Sequence, residues 1–273
     1  MLKCGITGST GILGKNLLKS LPFKFIPYEY DITNPRKVES WIQNNKFDLI
    51  IHLAAIVPTK DVEKNYLRAK RVNILGTKNL VKSIIKKKIK PKWVFFSSTS
   101  HVYKISKKLN YNTEKTKPDP SSKYGITKFL AEGELKKLSK YNIKVCIGRI
   151  FSFTDKKQTC PYFIPTIIEK IKKSKKKIFL NNLNHYRDFI STKQISSAIS
   201  ILQKKEKSGI YNICNGNKVN LIKVAKIFAK KYKKQIDISD IKKTTYLLGQ
   251  NKKLKNLGFK PKKFTNNIDY FYK

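Results

Sequence analysis

Gly8-Ser9-Thr10-Gly11-Ile12-Leu13-Gly14 puts a glycine at every third position. It comes directly after the apolar run Leu2-Lys3-Cys4-Gly5-Ile6-Thr7 and leads into Leu17, Leu18 and Leu21. The pattern reads as a short buried strand, a tight turn and the start of a helix. Such a turn aims backbone N–H groups and the positive end of a helix dipole at one point, with no Cβ to keep a pyrophosphate away. The same turn also serves as a plain strand–helix connection, so the pattern alone leaves both readings open.

Beyond the turn the chain has the rhythm of an α/β protein. Pro22 closes the first helix, and Phe23 to Tyr28 reads as a second strand with Glu29 at its end. Asn34-Pro35 is an N-cap followed by proline at the first helical position, with Val38, Trp41 and Ile42 on the buried face. Phe47 to Leu53 is nearly continuous in apolar residues, as a parallel strand covered on both faces requires. One helix is expected from Asp61 to Ile85, a strand over Trp93 to Phe96, a helix from Ser122 to Lys140 and a strand over Ile143 to Gly148. Strand and helix alternate strictly up to that point, which predicts a parallel sheet with right-handed crossovers. Beyond Arg149 the pattern loosens. Phe151 to Pro165 reads as loop, and helices are expected over Thr166 to Lys173, Thr192 to Gln203 and Leu221 to Lys231. Strands are expected at Ile178-Phe179-Leu180 and Gly209 to Ile213, a soft boundary lies near Ser152, and Lys252 to Lys273 carries no legible pattern.

Composition narrows the class. A chain of 273 residues holds one large α/β domain, or such a domain with a smaller lobe. With 60 Lys+Arg against 17 Asp+Glu, the formal charge of +43 invites an RNA-associated reading. The lysines, however, are spread over helix faces among abundant Asn and Ile, as an A/T-rich coding sequence would spread them. No helix-turn-helix, zinc-finger or RRM-like pattern organises them, so no specific nucleic-acid partner is expected. No stretch approaches the ~18 to 20 apolar residues of a membrane span. The first residues lack a signal-peptide core, and a cytoplasmic protein without a membrane partner is the expectation. Cys4, Cys146, Cys160 and Cys214 have no metal-ligand spacing; they are read as reduced core thiols, and no metal is expected.

Two further stretches carry chemistry. Tyr124-Gly125-Ile126-Thr127-Lys128 sets a phenol and an ammonium four residues apart, on one face of a helix. A nearby ammonium favours phenolate and lowers a phenol pKa toward the range of a working acid or base, although a surface Tyr–Lys pair has the same spacing. Phe95-Phe96-Ser97-Ser98-Thr99-Ser100-His101-Val102-Tyr103 places hydroxyls at the carboxyl end of a strand, where doubly wound sheets bind ligands. A loop rich in turn-forming hydroxyls would look alike.

Taken together with Asp31-Ile32-Thr33, His52-Leu53-Ala54-Ala55, Val72-Asn73-xx-Gly76-Thr77 and Arg187-Asp188-Phe189, these stretches resemble the extended short-chain dehydrogenase/reductases that act on nucleotide sugars. The matches run in the family's order over most of the chain. The resemblance implies an α/β fold, a Rossmann-type doubly wound parallel sheet (residues 1–151) with a smaller C-terminal substrate-binding lobe (residues 152–273), some of whose elements return to the sheet. It implies NAD or NADP as cofactor. Gly8, Gly11 and Gly14 would hold the pyrophosphate, with Ile12 and Leu13 presenting backbone beside it. Asp31 and Ile32 would flank the adenine, Ala54 and Ala55 would line the cofactor wall, and Asn73 would belong to the same set. Tyr124 would transfer the proton, Lys128 would bind the nicotinamide ribose and tune that tyrosine, and Thr99 would hydrogen-bond the reacting oxygen. His101, Ser152 and Arg187 would face the substrate, Arg187 its phosphates.

The chain departs from the family's pattern in ways that bear on the reaction. Ser152 stands where many members have Asn, and Lys104 where a glycine is usual. Members that remove water from the sugar carry Asp-Glu after the threonine; here Ser100-His101 comes after Thr99, with His101 able to move protons near neutral pH. The short interval before Asp31 compresses the end of the second strand. Glu29 there favours NAD over NADP by accepting ribose hydrogen bonds and repelling a 2′-phosphate, while Arg36 and nearby lysines leave NADP open. The expected reaction is reduction of a nucleotide-linked 4-keto-6-deoxy sugar, within nucleotide-sugar metabolism that feeds polysaccharide biosynthesis. A nucleotide-sugar 4-epimerase and a catalytically inactive NAD(P)-binding regulatory protein are the alternatives. A homodimer is the expected assembly, and no residue fixes the oligomeric state.

Overall fold

The computed structural model describes residues 1–57, 59–239 and 243–262. The alternation expected up to residue 150 is present. In order come β1 (Lys3–Thr7), α1 (Ile12–Ser20), β2 (Lys24–Tyr28), α2 (Pro35–Asn45), β3 (Leu49–His52), α3 (Thr59–Lys64), α4 (Tyr66–Lys70) and α5 (Gly76–Lys86). After these lie β4 (Trp93–Thr99), the short β5 (Tyr111–Asn112), α6 (Lys123–Lys136) and β6 (Lys144–Ile150). The remainder comprises β7 (Ser152–Thr154), α7 (Phe163–Lys173), β8 (Lys177–Asn181), β9 (His185–Arg187), β10 (Phe189–Ser191) and α8 (Thr192–Lys204). It ends with β11 (Gly209–Ile213), β12 (Val219–Asn220), α9 (Leu221–Lys231), β13 (Gln235–Ser239), β14 (Thr245–Gly249) and α10 (Lys252–Lys255).

Six strands form one parallel sheet in the order β11-β6-β4-β3-β1-β2. The period-2 alternation of its side chains builds two cores. Cys4, Ile6, Leu49, Ile51, Trp93, Phe95 and Cys146 face α1 and α8, meeting Leu13, Leu17, Ile195 and Ile199. Ile50, Val94, Phe96, Val145 and Ile147 face the other way, onto Val38, Trp41 and Ile42 of α2, Leu80 and Ile84 of α5, and Ala131 and Leu135 of α6. The chain runs from β1 outward to β2 and then crosses to β3 on the other side of β1. This reversal opens a crevice at the carboxyl ends of β1 and β3.

A third core, built on Ile164, Ile167, Ile171, Leu180, Phe189, Val224 and Phe228, holds α7, β8, β10 and α9 together beside the carboxyl ends of the sheet. β7 and β10 pair in parallel, as do β8 and β13, while β12-β9-β14-β5 form a small mixed sheet. Among the described residues no helix is long and apolar enough to cross a membrane.

Three expectations are corrected. The single helix from Asp61 to Ile85 is instead α3, α4, a π turn over Arg71–Leu75 and α5. The Asn65 side chain accepts from Arg68 N at 3.0 Å and starts a new helix, and the wider π turn re-phases the next one. The loop expected from Phe151 to Pro165 contains β7 and the start of α7. Cys160 is exposed, its Sγ donating to Glu169 Oε2 at 2.7 Å, while the other three thiols are buried.

Candidate active site

The crevice above β1 and β3 opens into a cavity of about 610 Å³ that reaches between the sheet and the third core. On the β1 side its wall is the glycine turn, and the three glycines differ in why they lack a side chain. Gly8 sits at φ +71°, and a Cβ there would lie 2.7 Å from Ala54 N. A Cβ on Gly14 would lie 2.4 Å from Gly8 O. These two are demanded by the protein's own packing. Gly11 has an ordinary extended backbone, φ −71° and ψ 167°, and a Cβ on it would meet only Gly8 O at 3.4 Å. Nothing in the described protein requires a glycine there. Gly11 is also the N-cap of α1, and no side chain caps that helix or places an acid in its first turn. Unclaimed N–H groups and open space at a helix N-terminus are what a pyrophosphate needs, so the residues present fit a dinucleotide.

The β3 side is fixed by a buried relay. Thr77 Oγ1 donates to Asn73 O at 2.7 Å and so accepts from His52 Nε2 at 2.9 Å. His52 Nδ1 is then the acceptor for Thr7 Oγ1 at 2.6 Å, and Thr7 Oγ1 accepts from Leu53 N and Ala54 N, each at 3.2 Å. Burial, with the Lys128 charge nearby, pushes the His52 pKa down to about 3, in keeping with the neutral ring the relay requires. Ala54 and Ala55 are thereby held against the glycine turn, and both line the cavity.

Thr99 ends β4, and Tyr124 and Lys128 rise from α6, whose N-cap Ser122 accepts from Gly125 N at 3.1 Å. All three line the cavity with Gly8, Gly11, Ile12, Leu13 and Gly14, and so do His101, Ser152 and Arg187. Burial raises the Tyr124 phenol above its usual range, with the Thr99 hydroxyl pulling the other way. The expected lowering of that phenol is therefore corrected, since desolvation outweighs the one opposing pull, the Thr99 hydrogen bond. Lys128 itself is pushed down to about 7 by burial, against the pull of Glu132, and its Nζ lies 4.1 Å over the Phe96 ring. His101, whose ring centroid is 5.8 Å from that of Tyr124, is pushed down to about 4 by burial and by Arg187. It stays neutral near pH 7, which corrects the expectation of a near-neutral proton carrier. Arg187 is lowered to about 10 by burial and remains charged; its Nη1 donates to Tyr186 O, Thr245 O and Thr245 Oγ1.

Four of the expected cofactor residues do not line the cavity. Ile32 is buried in the core, 5% exposed, against α2 and α5, and it would collide with a Cβ on Gly76 at 2.5 Å. Asn73 is committed to the loop after β3, accepting from Ile56 N at 2.8 Å and donating to Ile56 O and Thr127 Oγ1. It positions the wall from behind. The Asp31 carboxylate accepts from Thr33 N at 2.8 Å, which holds it below the usual carboxylate range. Glu29 is exposed, one residue beyond Tyr28, the register partner of Thr7, and so stands beside the glycine turn at the open end of the crevice. Sequence reasoning missed Tyr162 and Gln158, which line the cavity from a segment without periodicity. It also missed Glu132, which the spacing Tyr124, Lys128, Glu132 could have flagged as one helix face.

The sequence model described as GDP-mannose 4,6 dehydratase matches residues 15–267. A GDP-6-deoxy-D-talose 4-dehydrogenase from Aggregatibacter actinomycetemcomitans is 30% identical over 226 residues, covering 79% of this chain and 75% of that protein. A GDP-6-deoxy-D-mannose reductase from Pseudomonas aeruginosa is 23% identical, covering 82% and 78%. Among solved structures, RMD from Pseudomonas aeruginosa complexed with NADPH superposes with a TM-score of 0.85 at 21% identity, over 96% of this chain and 94% of that one. The UDP-glucose 4-epimerase of Thermus thermophilus in complex with NAD also gives 0.85, at 18% identity over 99% and 97%. With a family match over nearly its whole length and a 30% identical relative over most of it, this chain belongs to the GDP-mannose 4,6 dehydratase family of extended short-chain dehydrogenase/reductases.

Proposed function

We propose that the protein is an NAD(P)-dependent oxidoreductase that reduces the 4-keto group of a 6-deoxy sugar carried on a nucleoside diphosphate, with guanosine as the base. The observation that carries this reading is the meeting of Tyr124, Thr99 and Lys128 with the open face of Gly11 in one cavity, beside the charged Arg187. The two relatives whose names place their chemistry on GDP-linked 6-deoxy sugars support the substrate class.

Reduction of a ketone needs a hydride on carbon and a proton on oxygen, and a bound nicotinamide supplies the hydride. The chain's own residues handle the oxygen. Tyr124, whose phenol is held protonated by burial, donates its proton to the carbonyl oxygen as charge develops there. Thr99 donates a second hydrogen bond to that oxygen, and the Lys128 ammonium stabilises the phenolate left behind. Arg187 attracts the diphosphate. Neutral His101 offers its ring nitrogens to sugar hydroxyls. Dehydration requires a positioned acid and base next to the threonine. Ser100 carries no titratable proton and His101 is unprotonated near neutral pH, which favours reduction.

Glu29, beside the glycine turn, supports NADH as the preferred donor, and Glu29→Ala is expected to narrow the preference over NADPH. The decisive measurement is stoichiometry with a GDP-linked 4-keto-6-deoxyhexose. One reduced cofactor is consumed per sugar reduced if the reading is right. Interconversion of a 4-epimeric pair with no net cofactor consumption would make the protein an epimerase, and cofactor binding without any turnover would leave it a binding protein.

A further inference from the structure

Helix α6 carries a third buried polar residue on the face of Tyr124 and Lys128. Glu132, one turn beyond Lys128, is fully buried, and its carboxylate joins three elements. Oε1 accepts from Ser98 Oγ at 2.5 Å and from Arg149 Nε at 3.0 Å, and Oε2 accepts from Arg149 Nη2 at 2.8 Å. Ser98 and Arg149 are register partners on adjacent strands β4 and β6, so both reach α6 from the same place on the sheet. Ser98 is the residue before Thr99. Arg149 is stacked with its Cζ 4.8 Å from the Tyr103 ring, and Tyr103 Oη donates to Asn212 Oδ1 of β11 at 2.7 Å.

We infer that Glu132 is a positioning residue for this site: it sets the helix bearing Tyr124 and Lys128 against the strand bearing Thr99, and it is the carboxylate that the buried ammonium of Lys128 answers to. The inference rests on the reading of Lys128 as a cofactor-contacting cation. The other acids of the elements packed on α6 are exposed or engaged elsewhere: Glu134 of α6 pairs with Lys137, Glu63 of α3 pairs with Lys123, and Asp61 of α3 is exposed. Tyr124, on the same helix, is neutral; His52, from β3, is neutral and locked in its relay; β4 offers the Phe96 ring and hydroxyls; β6 offers Arg149 behind the carboxylate. Glu132 is the group that favours the charged lysine. Its own charge is balanced by Arg149 through a bidentate pair, so Lys128 responds to the difference between the two.

That balance gives the two partners opposite signatures. Glu132→Gln deletes the negative charge and leaves Arg149 uncompensated, so Lys128 loses its proton more readily. Arg149→Met leaves the carboxylate uncompensated, and Lys128 holds its proton more tightly. The readout is the pH dependence of the NADH or NADPH dissociation constant, followed by nicotinamide fluorescence. It needs no sugar, so a wrong sugar assignment leaves it intact, whereas loss of all cofactor binding in the wild type would strike the functional reading itself. The alkaline midpoint should move about one pH unit or more downward in Glu132→Gln and upward in Arg149→Met. Shifts of the same sign, or none, in variants with wild-type circular dichroism would overturn the charge role.

Ser98→Ala covers the case in which the charge variants fail to fold, because it removes one hydroxyl and no charge. It should leave the cofactor dissociation constant and the alkaline midpoint unchanged while lowering kcat about tenfold through a displaced Thr99 and Tyr124. Restoration of kcat in Ser98→Thr, which returns the hydroxyl, is expected. Wild-type kcat in Ser98→Ala would refute the positioning role.

Discussion

Tyr124 and Lys128 are both buried in one wall of the cavity, and burial moves each toward its neutral form. Tyr124→Phe removes the transferable proton and keeps the ring, so turnover should fall about 10² to 10⁴-fold while cofactor affinity holds; steady-state rates and fluorescence titration check both halves. Gly11→Asp places a carboxylate in the open space before α1 without straining the backbone, and dinucleotide affinity should drop about 10²-fold or more in a folded protein. His52 makes a prediction about pH. Its folded pKa of about 3 lies below its ordinary 6.5, so between those values the unfolded chain binds the extra proton. Stability from this residue is complete above about pH 6.5 and is lost as pH falls toward 3, at up to about 1.4 kcal/mol per pH unit. Buried His101 adds a slope of the same sign and buried Asp188, raised to about 7, one of the opposite sign, so the check is a difference. Between pH 7 and 5 the urea-denaturation stability of wild type relative to His52→Gln should fall with that slope. The residues with chemical signatures were legible before any coordinates: the glycines, Thr99, Tyr124, Lys128 and Arg187 all reach the cavity. Ile32 and Asn73 were not, because an apolar or amide side chain beside a binding motif looks the same whether it faces ligand or core.

At the scale of elements, one contact decides how close α6 comes to β4. A Cβ on Gly125 would lie 2.1 Å from the carbonyl oxygen of His101. Gly125→Ala must therefore push the start of α6 away from the strand end, separating Tyr124 from Thr99. Overpacking of this kind is expected to lower stability by about 1 to 3 kcal/mol and to depress kcat more than cofactor affinity, measured by thermal melts beside kinetics. The parallel strands could be read from sequence because they are covered on both faces, and α2 because Asn34, Pro35 and the Val38-Trp41-Ile42 stripe agree. The break at Asn65 and the π turn escaped because the apolar spacing continues through both. β7 escaped for a different reason. Its three residues pair with β10, from Ser152 to Phe189, and no local pattern announces a partner so far along the chain.

The whole molecule carries 43 more positive than negative charges, so even full pairing of its 17 acids leaves most lysines facing one another across solvent. Self-repulsion of that size destabilises the compact state and is screened over about 10 Å at 0.1 M salt. The melting temperature should rise by several degrees from low salt to moderate sodium chloride, and a salt-independent melt would mean the lysines are too dispersed to repel. The order of the central sheet has a consequence for how the protein is made. Its edge beside β6 is closed by β11, and the face of α1 is covered by α8, so the half built on this sheet cannot complete itself from the first 150 residues. A nascent chain halted at Ile150 would present an open strand edge and a bare apolar helix flank. The ribosome must deliver roughly sixty further residues before that half can close. The cavity waits for more chain still, because Leu221 lines it and Val224 and Phe228 of α9 complete the third core on its far side, all of them made after the strand that seals the sheet.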